Sequence, residues 1–340
     1  MTRKKAGSAS QRVFAALAAL LFATTAARAE AVKIGGVKTS AAGALYIATE
    51  KGYFAAAGIE PQFIDFDSPG AVPVAVVSGA VDIGATGVSA GLYSLAAQGA
   101  LKIIAGQAHE TKGYQVNAFI VSNAASAAGL ARFDQLAGHS VAISQIGSPV
   151  HYAASQVALK HGVALASLRF LPLQSNPNIV SAVTGGTADT GVIPVTAVAP
   201  SLARGDLKLL GWIGDETPWQ SSAVFAGQRT LAERADLVKR FLGALRRGLR
   251  DFHAAFSAPD GSRRDGPTAP EILAILEKYT GQPEAQIRIA IPYVEPEARL
   301  DFPDMRRQLA WFTAQNMLKG PITLDQVIDR RFAVARPEGK

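Results

Sequence analysis

The sequence predicts an α/β protein whose two βα lobes surround a central cleft and are joined by a two-strand hinge. Short apolar strands alternate with helical segments in both halves of the chain, which is typical of parallel βαβ units. A faint internal repeat indicates that the halves are related, because the pattern G-x-x-D-x-G occurs at residues 79–84 and again at 186–191, 107 residues later. Phe63 and Phe170 match at the same offset.

The N-terminus has the three parts of a secretory signal peptide. It begins with Arg3, Lys4 and Lys5, continues with an apolar run at residues 13–24, and ends on an A-x-A cleavage site at residues 27–29. This apolar run is too short to cross about 30 Å of hydrocarbon. We therefore expect residues 1–29 to be a signal peptide that is cleaved after Ala29 on export.

The charge and the cysteine content of the chain argue against several classes of function. The chain has 34 basic and 27 acidic side chains, but five of the basic ones precede Glu30, which leaves a net charge of +2 on the mature chain. The basic balance is thus partly a property of the signal peptide and does not indicate nucleic-acid binding. The absence of cysteine excludes disulfides, thiolate nucleophiles, cysteine zinc sites and a lipid-modified N-terminal cysteine. We expect a soluble protein in the periplasm.

The first unit is predicted to alternate strands and helices from residue 32 onward. Its strands are predicted at 32–37, 61–66, 81–85 and 101–105, and its helices at 45–51 and 71–78. The second unit is predicted to repeat this order, with strands at 139–144, 168–173 and 188–193 and helices at 150–161 and 179–183. Extended segments that cross between the lobes are predicted at 117–122, 207–212 and 222–226.

These elements divide the mature chain into two lobes. Lobe 1 is expected to be discontinuous, with residues 30–120 and 216–340, and lobe 2 to comprise residues 121–215. Three capping boxes, starting at Thr230, Thr268 and Thr323, predict helix starts in the C-terminal part. Apolar residues recur there at helical spacing and would pack on lobe 1, namely Leu237, Phe241, Leu245, Leu249, Phe252 and Phe256.

The cleft between the lobes is the expected ligand site, because ligands of open parallel sheets bind outside the carboxyl ends of the strands. Five loops lie at such ends in the predicted arrangement, at residues 38–43, 86–89, 145–149, 194–196 and 214–219. Small residues in the first loop let a ligand approach the backbone, and N–H groups at a helix start favour an anion. An ordinary tight βα turn explains the same residues without a ligand.

Several side chains in and near these loops have two interpretations. Ser148 precedes a proline and is predicted to cap the following helix, which places His151 in the first turn, either facing the cleft or in a structural position. Trp219 either stacks on a flat ligand or covers the core at the hinge. Asp82 and Asp189 lie at the beginnings of strands, away from the cleft, and are interpreted as structural.

Four segments of the mature chain carry a family resemblance: ALYIA at 44–48, EKGYF at 50–54, SGAVDIG at 78–84 and FDQLAG at 133–138. In this order and spacing they resemble the sulfonate-, nitrate- and taurine-type periplasmic binding proteins of ABC importers, which share a fold with the thiamine-pyrimidine precursor proteins. The resemblance spans residues 32–334. It implies a type II periplasmic-binding-protein fold that closes on its ligand by a hinge motion and then docks on a membrane permease.

The resemblance also implies ligand contacts. In such relatives the loop matching Ser40 and Ala41 and the helix start matching Gly147 and Ser148 contact the anionic group of the ligand. The remaining candidates follow either from the resemblance or from their places in and near the five loops, and they are Thr86, Gln145, Thr196, Lys38, Gly87, His151, Asp215 and Trp219. The five loops contain no arginine, so backbone dipoles and Lys38 would have to hold the charge.

We therefore expect a periplasmic substrate-binding component of an ABC importer that captures a small organic anion, either a sulfonate or an aromatic or aliphatic carboxylate. A ligand-binding sensor and a pyrimidine-precursor binding protein are the alternatives. Enzyme activity is not expected, because the related enzymes depend on cysteine and the five histidines show no metal-binding spacing. No metal, cofactor or nucleic acid is expected. The expected partners are the anionic ligand and the permease subunits, and the protein itself is expected to be a monomer.

Overall fold

The computed structural model describes residues 29–337, and within that range ten strands form two five-stranded sheets. The predicted signal peptide and its cleavage site therefore lie almost entirely outside the described residues. The strands of the first sheet are β1 Glu30–Gly36, β2 Ile59–Asp65, β3 Ile83–Gly87, β4 Leu101–Glu110 and β10 Trp219–Gly227. Those of the second sheet are β5 Asn117–Ser122, β6 Ser140–Ile143, β7 Arg169–Pro172, β8 Thr190–Pro194 and β9 Leu207–Trp212.

The helices alternate with these strands and then dominate the C-terminal part. Those before β10 are α1 Gly43–Glu50, α2 Tyr53–Ala56, α3 Ala71–Val77, α4 Ala90–Ala97, α5 Asn123–Ala127, α6 Pro149–Lys160, α7 Asn176–Thr184, α8 Val195–Arg204 and α9 Ile213–Glu216. Those after it are α10 Gln228–Glu233, α11 Ala235–Phe256, α12 Ala269–Thr280, α13 Glu284–Arg288, α14 Phe302–Ala314 and α15 Leu324–Val327. The α/β class and the two-lobed architecture predicted from the sequence are confirmed.

The two sheets have the same topology. The first has the order β2-β1-β3-β10-β4 and the second the order β7-β6-β8-β5-β9. In each sheet the first three strands are parallel and the last two are antiparallel to their neighbours. β5 pairs within the second sheet, so the proposed boundary of lobe 1 at residue 120 falls inside this strand.

The strand registers reproduce the 107-residue offset. Ile34 lies opposite Ile83 in the first sheet, and Val141 lies opposite Thr190 in the second. The aspartates of the repeated pattern also act alike: Asp82 Oδ2 accepts the N–H of Lys33 at 2.9 Å, and Asp189 Oδ2 accepts the N–H of Ser140 at 2.8 Å. Each carboxylate ties the start of its own strand to the neighbouring strand, which is the structural role that the sequence predicted.

The long helix α11 covers one face of the first sheet. All six apolar residues predicted to pack on lobe 1 are buried in it. The helix crosses α1 closely at Gly248, because a Cβ atom there would lie 2.1 Å from the carbonyl oxygen of Ala44. A glycine is therefore required at this crossing.

Of the three predicted capping boxes, the structure forms the one at Thr323 and not those at Thr230 and Thr268. At Thr323 the box forms, and its N–H donates to Gln326 Oε1 at 2.8 Å. Thr230 lies inside α10, which begins at Gln228, so that predicted helix start is wrong. Thr268 precedes α12, but its backbone is already helical and its side chain makes no capping bond. The spacing of threonine and glutamate alone does not produce a cap, because an N-cap residue also needs an extended backbone.

Candidate functional site

The carboxyl ends of the parallel strands of the two sheets meet. A Cβ atom at Gly87, at the end of β3, would lie 2.8 Å from Pro149 Cγ at the start of α6. The N–H of Ala90 donates to the carbonyl oxygen of Gly147 at 3.0 Å. The structure therefore brings the predicted loops 86–89 and 145–149 into contact across the cleft, with the lobes close together.

The first-lobe loop is held by bonds within the protein. Lys38 Nζ lies 3.0 Å from Asp65 Oδ2, so this exposed ammonium already has a counter-charge. Ser40 is buried, and its hydroxyl donates to the carbonyl oxygen of Ala290 at 2.6 Å. The carbonyl oxygen of Ala41 accepts the side-chain N–H of Gln107 at 3.0 Å. These contacts fix the position of a short 3₁₀ turn, Ser40–Ala42, that leads into α1.

The second-lobe helix start is organised around His151. Ser148 has an extended backbone, and its Oγ accepts the N–H of His151 at 3.3 Å, as predicted for an N-cap. Gly147 has a φ of +76°, which favours glycine, and its N–H donates to His151 Nδ1 at 3.1 Å. Ser40 and Gly147 stand 107 residues apart, so the two loops occupy equivalent places in the repeat.

His151 is buried, and its imidazole accepts the hydrogen bond that holds the loop before α6 in place. Its ring lies edge-to-face against Phe170, at 4.4 Å between centroids, and against Trp311 at 5.0 Å. Burial lowers the pKa of His151 to about 4. The imidazole is therefore neutral at pH 7 and accepts the N–H of Gly147, so we assign it a positioning role.

Three further predicted residues lie at the cleft edge. Thr86 is buried at the end of β3, opposite Ala223 of β10. Gln145 is exposed and reaches toward lobe 1, where its Oε1 would lie 3.8 Å from a Cβ atom at Gly70. Thr196 is half-buried in the first turn of α8.

Asp215 and Trp219 lie at the hinge. Asp215 accepts the backbone N–H of Gly113 at 3.2 Å and the side-chain N–H of Gln115 at 3.3 Å. Trp219 is 2% exposed, and its Nε1 donates to Glu110 Oε2 at 3.2 Å. Because its ring is packed in the core and its N–H is bonded, the interpretation of Trp219 as a stacking platform is replaced by that of a core residue.

Glu110 is a hinge residue that the sequence reasoning missed. It ends β4 and is buried, and besides the indole of Trp219 it accepts the N–H of Val116 at 3.1 Å. It also accepts the backbone N–H and the side-chain N–H of Asn117, both at 2.7 Å. Burial raises the pKa of Glu110 to about 7. The Glu110 carboxyl therefore joins β4 of the first sheet to β5 of the second sheet.

Gln107 and Ser222 were also missed. Gln107 is 3% exposed on β4 and Ser222 is 5% exposed on β10. Within residues 29–337 neither Gln107 Oε1 nor Ser222 Oγ has a hydrogen-bond partner. The available signal was weak: Gln107 interrupts the apolar and small residues of 103–108.

Residues 87–91 have the sequence G-x-S-x-G and lie between a strand and a helix, as does the nucleophile of some hydrolases. Ser89 is extended, and its Oγ accepts the N–H of Leu92 at 3.2 Å. No histidine within the described part of the chain is hydrogen-bonded to it. Ser89 is therefore the N-cap of α4.

Two lobes of this topology, meeting at their strand ends, define the fold of periplasmic binding proteins. The chain belongs to the NMT1/THI5-like family, whose model matches residues 39–260. The resemblance inferred from the sequence is thereby confirmed. A comparison with curated proteins finds no match.

Solved structures show the same fold. The chain is similar to the periplasmic aliphatic sulphonate binding protein SsuA of Escherichia coli, with 18% identity, a TM-score of 0.69 and coverage of 92% of this chain and 94% of that one. It is similar to the alkanesulfonate-binding protein SsuA of Xanthomonas axonopodis pv. citri bound to MOPS, with 18% identity, a TM-score of 0.66 and coverage of 88% and 98%. It is also similar to the desulfurization enzyme DSZB, with 15% identity, a TM-score of 0.59 and coverage of 88% and 97%.

Between residues 29 and 337 the helices are all too short or too polar to cross a lipid bilayer.

Proposed function

We propose that this protein is the periplasmic substrate-binding component of an ABC importer, which captures a small organic anion between its lobes and delivers it to the permease. The observation that carries the proposal is the meeting of two repeat-related strand edges at Gly87, Ala90, Gly147 and Pro149. A ligand bound there would contact both lobes, and its binding would stabilise the closed arrangement.

A sulfonate or carboxylate is the proposed anionic group. Two similar structures are named as sulfonate-binding proteins, and the cleft contains the start of α6, where the positive end of the helix dipole favours an anion. The charge of Lys38 is already balanced by Asp65. We therefore propose a ligand with a single negative charge, bound by Ser40, Ala41, Thr86, Gly87, Gln145, Gly147, Ser148 and Thr196.

The proposed role is non-catalytic. The fold alone does not separate binding proteins from enzymes, since DSZB shares it. What supports a binding role is the chemistry at the cleft, where Ser89 caps a helix and His151 is bonded to a backbone N–H. The chain also has no cysteine.

A thermal-shift screen of the mature protein tests the proposal. The probes are ethanesulfonate, benzenesulfonate, benzoate, propanoate and nitrate. A ligand present at 100 times its Kd stabilises the protein by about 2.7 kcal/mol. We expect at least one sulfonate or carboxylate to raise Tm, whereas a screen without any shift contradicts the proposal.

Paired tryptophan variants locate the binding site. Ser148→Trp places a large ring at the buried start of α6 and is expected to abolish the ligand-induced shift. Ser181→Trp, on the exposed side of α7, is the matched control and is expected to retain it. If both variants respond like the wild type, the ligand binds outside the cleft.

A further inference from the structure

The ladder between β4 and β10 is irregular where it reaches the cleft. Ser222 lies opposite Ala108, but the register shifts on both sides of this pair. Gln107 is the extra residue on β4 and Ser221 the extra residue on β10. Such bulges re-aim side chains and are common next to functional sites.

The two bulges place polar side chains between the predicted ligand loops. Gln107 reaches the first loop, because its Nε2 donates to the carbonyl oxygen of Ala41 at 3.0 Å. Ser222 lies opposite Gly87, which ends β3 and contacts the second lobe at Pro149. Both side chains therefore lie beside the place where the two lobes meet.

Each side chain has one polar atom without a protein partner in the described range. The orientation of the Gln107 amide is determined by Ala41, since a carbonyl oxygen only accepts and the nitrogen must face it. Gln107 Oε1 is consequently an acceptor that needs a donor, and the Ser222 hydroxyl is able to donate. Buried polar atoms without partners cost free energy, so a native protein keeps them for a reason.

The surroundings favour an uncharged partner. Asp65 is paired with Lys38, and the carboxyl of Glu110 accepts hydrogen bonds from Asn117 and Trp219 at the hinge. Neither carboxyl is therefore left to pair with a cationic donor at Gln107. A hydroxyl group can bond both Gln107 Oε1 and the Ser222 hydroxyl, because it donates one hydrogen bond and accepts another.

We propose that Gln107 and Ser222 form a subsite for a hydroxyl group of the ligand. The hydroxyl donates to Gln107 Oε1 and accepts from Ser222 Oγ, while the anionic group lies toward the start of α6. This inference rests on the proposed function and narrows its ligand class from organic anions to hydroxylated ones.

Matched ligand pairs test the subsite by isothermal titration calorimetry. The pairs are 2-hydroxyethanesulfonate against ethanesulfonate, and lactate against propanoate, since the members of each pair differ by one hydroxyl group. We expect the hydroxylated member of at least one pair to bind about tenfold more tightly to the wild-type protein. Equal or weaker binding of the hydroxylated members overturns the subsite and leaves the proposed function standing, whereas no binding by any probe overturns both.

Variants assign the preference to the two side chains. Ser222→Ala and Gln107→Leu are each expected to reduce the tenfold preference to less than about twofold. Gln107→Leu also removes the bond to Ala41, so Ser222→Ala is the variant that leaves the loop intact. Gln98→Leu, on the exposed end of α4, is the control and is expected to keep the full preference. A preference that survives in both site variants overturns the assignment.

Discussion

The two sheets share one topology and one register but differ at their cleft ends. Ser222 lies opposite Gly87 in the first sheet, and Asn117 lies opposite Pro194, 107 residues after Gly87, in the second. Asn117 donates two hydrogen bonds to Glu110, whereas the hydroxyl of Ser222 has no partner within residues 29–337. Equivalent positions of the two sheets therefore have hydrogen-bond partners within the hinge in the second sheet and, among the described residues, lack one in the first.

The same sheet topology therefore serves two different roles in this molecule. In the second sheet the polar end of the ladder stabilises the crossing between the lobes, and the hydrogen bonds are complete. In the first sheet the polar end is distorted by two bulges and buries unpaired atoms, at a cost to the unliganded protein. We interpret the polar end of the second sheet as part of the hinge and the polar end of the first sheet as part of the ligand site.

Removal of the hinge carboxyl is expected to have the largest effect. Glu110→Ala leaves the buried donors of Val116, Asn117 and Trp219 without an acceptor and is expected to lower the free energy of unfolding by about 3 kcal/mol. Urea denaturation measures this change. Glu233→Ala removes a carboxylate from the exposed pair with Arg229, 3.0 Å apart, and is expected to cost less than about 0.5 kcal/mol. Equal effects of the two variants would show that the hinge network contributes no special stability.

The repeat-related aspartates test what the two sheets have in common. Asp82→Ala and Asp189→Ala each remove the acceptor of one strand N–H. Each is expected to lower the free energy of unfolding by about 2 kcal/mol, and the two losses are expected to agree within about 1 kcal/mol. If only one substitution destabilises the protein, the structural equivalence of the two patterns is contradicted.

The equivalent pair Asn117 and Ser222 tests the difference directly. Asn117→Ala removes a donor to Glu110 and is expected to cost about 1.5 kcal/mol in the unliganded protein. Ser222→Ala removes a hydroxyl that has no partner within residues 29–337 and is expected to leave the free energy of unfolding unchanged or slightly raised. A large loss for Ser222→Ala would mean that its hydroxyl is already bonded in the absence of ligand.

The pH dependence tests the loop of the second lobe. Burial lowers the pKa of His151 from 6.5 to about 4, so the unfolded chain binds a proton in a range where the folded protein does not. Stability is therefore lost as the pH falls from 6.5 toward 4. The repeat-related residue of the first lobe, 107 positions earlier, is Ala44, which does not titrate.

The variant His151→Gln isolates this contribution. Between pH 6.5 and 5.5 we expect the wild type to lose about 1 kcal/mol more stability than the variant. Part of the slope remains in the variant, because burial also lowers the pKa of His109 to about 4. Identical slopes for both proteins would contradict a buried, neutral His151.

Patterns in the sequence were sufficient for the two-lobed architecture. The alternation of strands and helices and the cap at Ser148 depend on near neighbours in the chain, the 107-residue repeat can be found by comparing the two halves of the sequence, and the structure bears all three out. Gln107 and Ser222 could not be found in this way, because their importance depends on the register between β4 and β10, which are far apart in sequence. The two interpretations of Trp219 could not be separated for the same reason, since its environment depends on Glu110 of another strand.

The central claim is that Gln107 and Ser222, at the end of the first sheet, contact the ligand, whereas Asn117, at the equivalent end of the second sheet, does not. Side-chain amide resonances in ¹⁵N-resolved NMR spectra report on both ends at once, through Gln107 and Asn117. The titration uses whichever probe of the matched pairs binds most tightly. We predict that the Gln107 amide signals shift on titration while those of Asn117 stay within the range of remote amides such as Gln98. A shift at Asn117 without one at Gln107 would contradict the account.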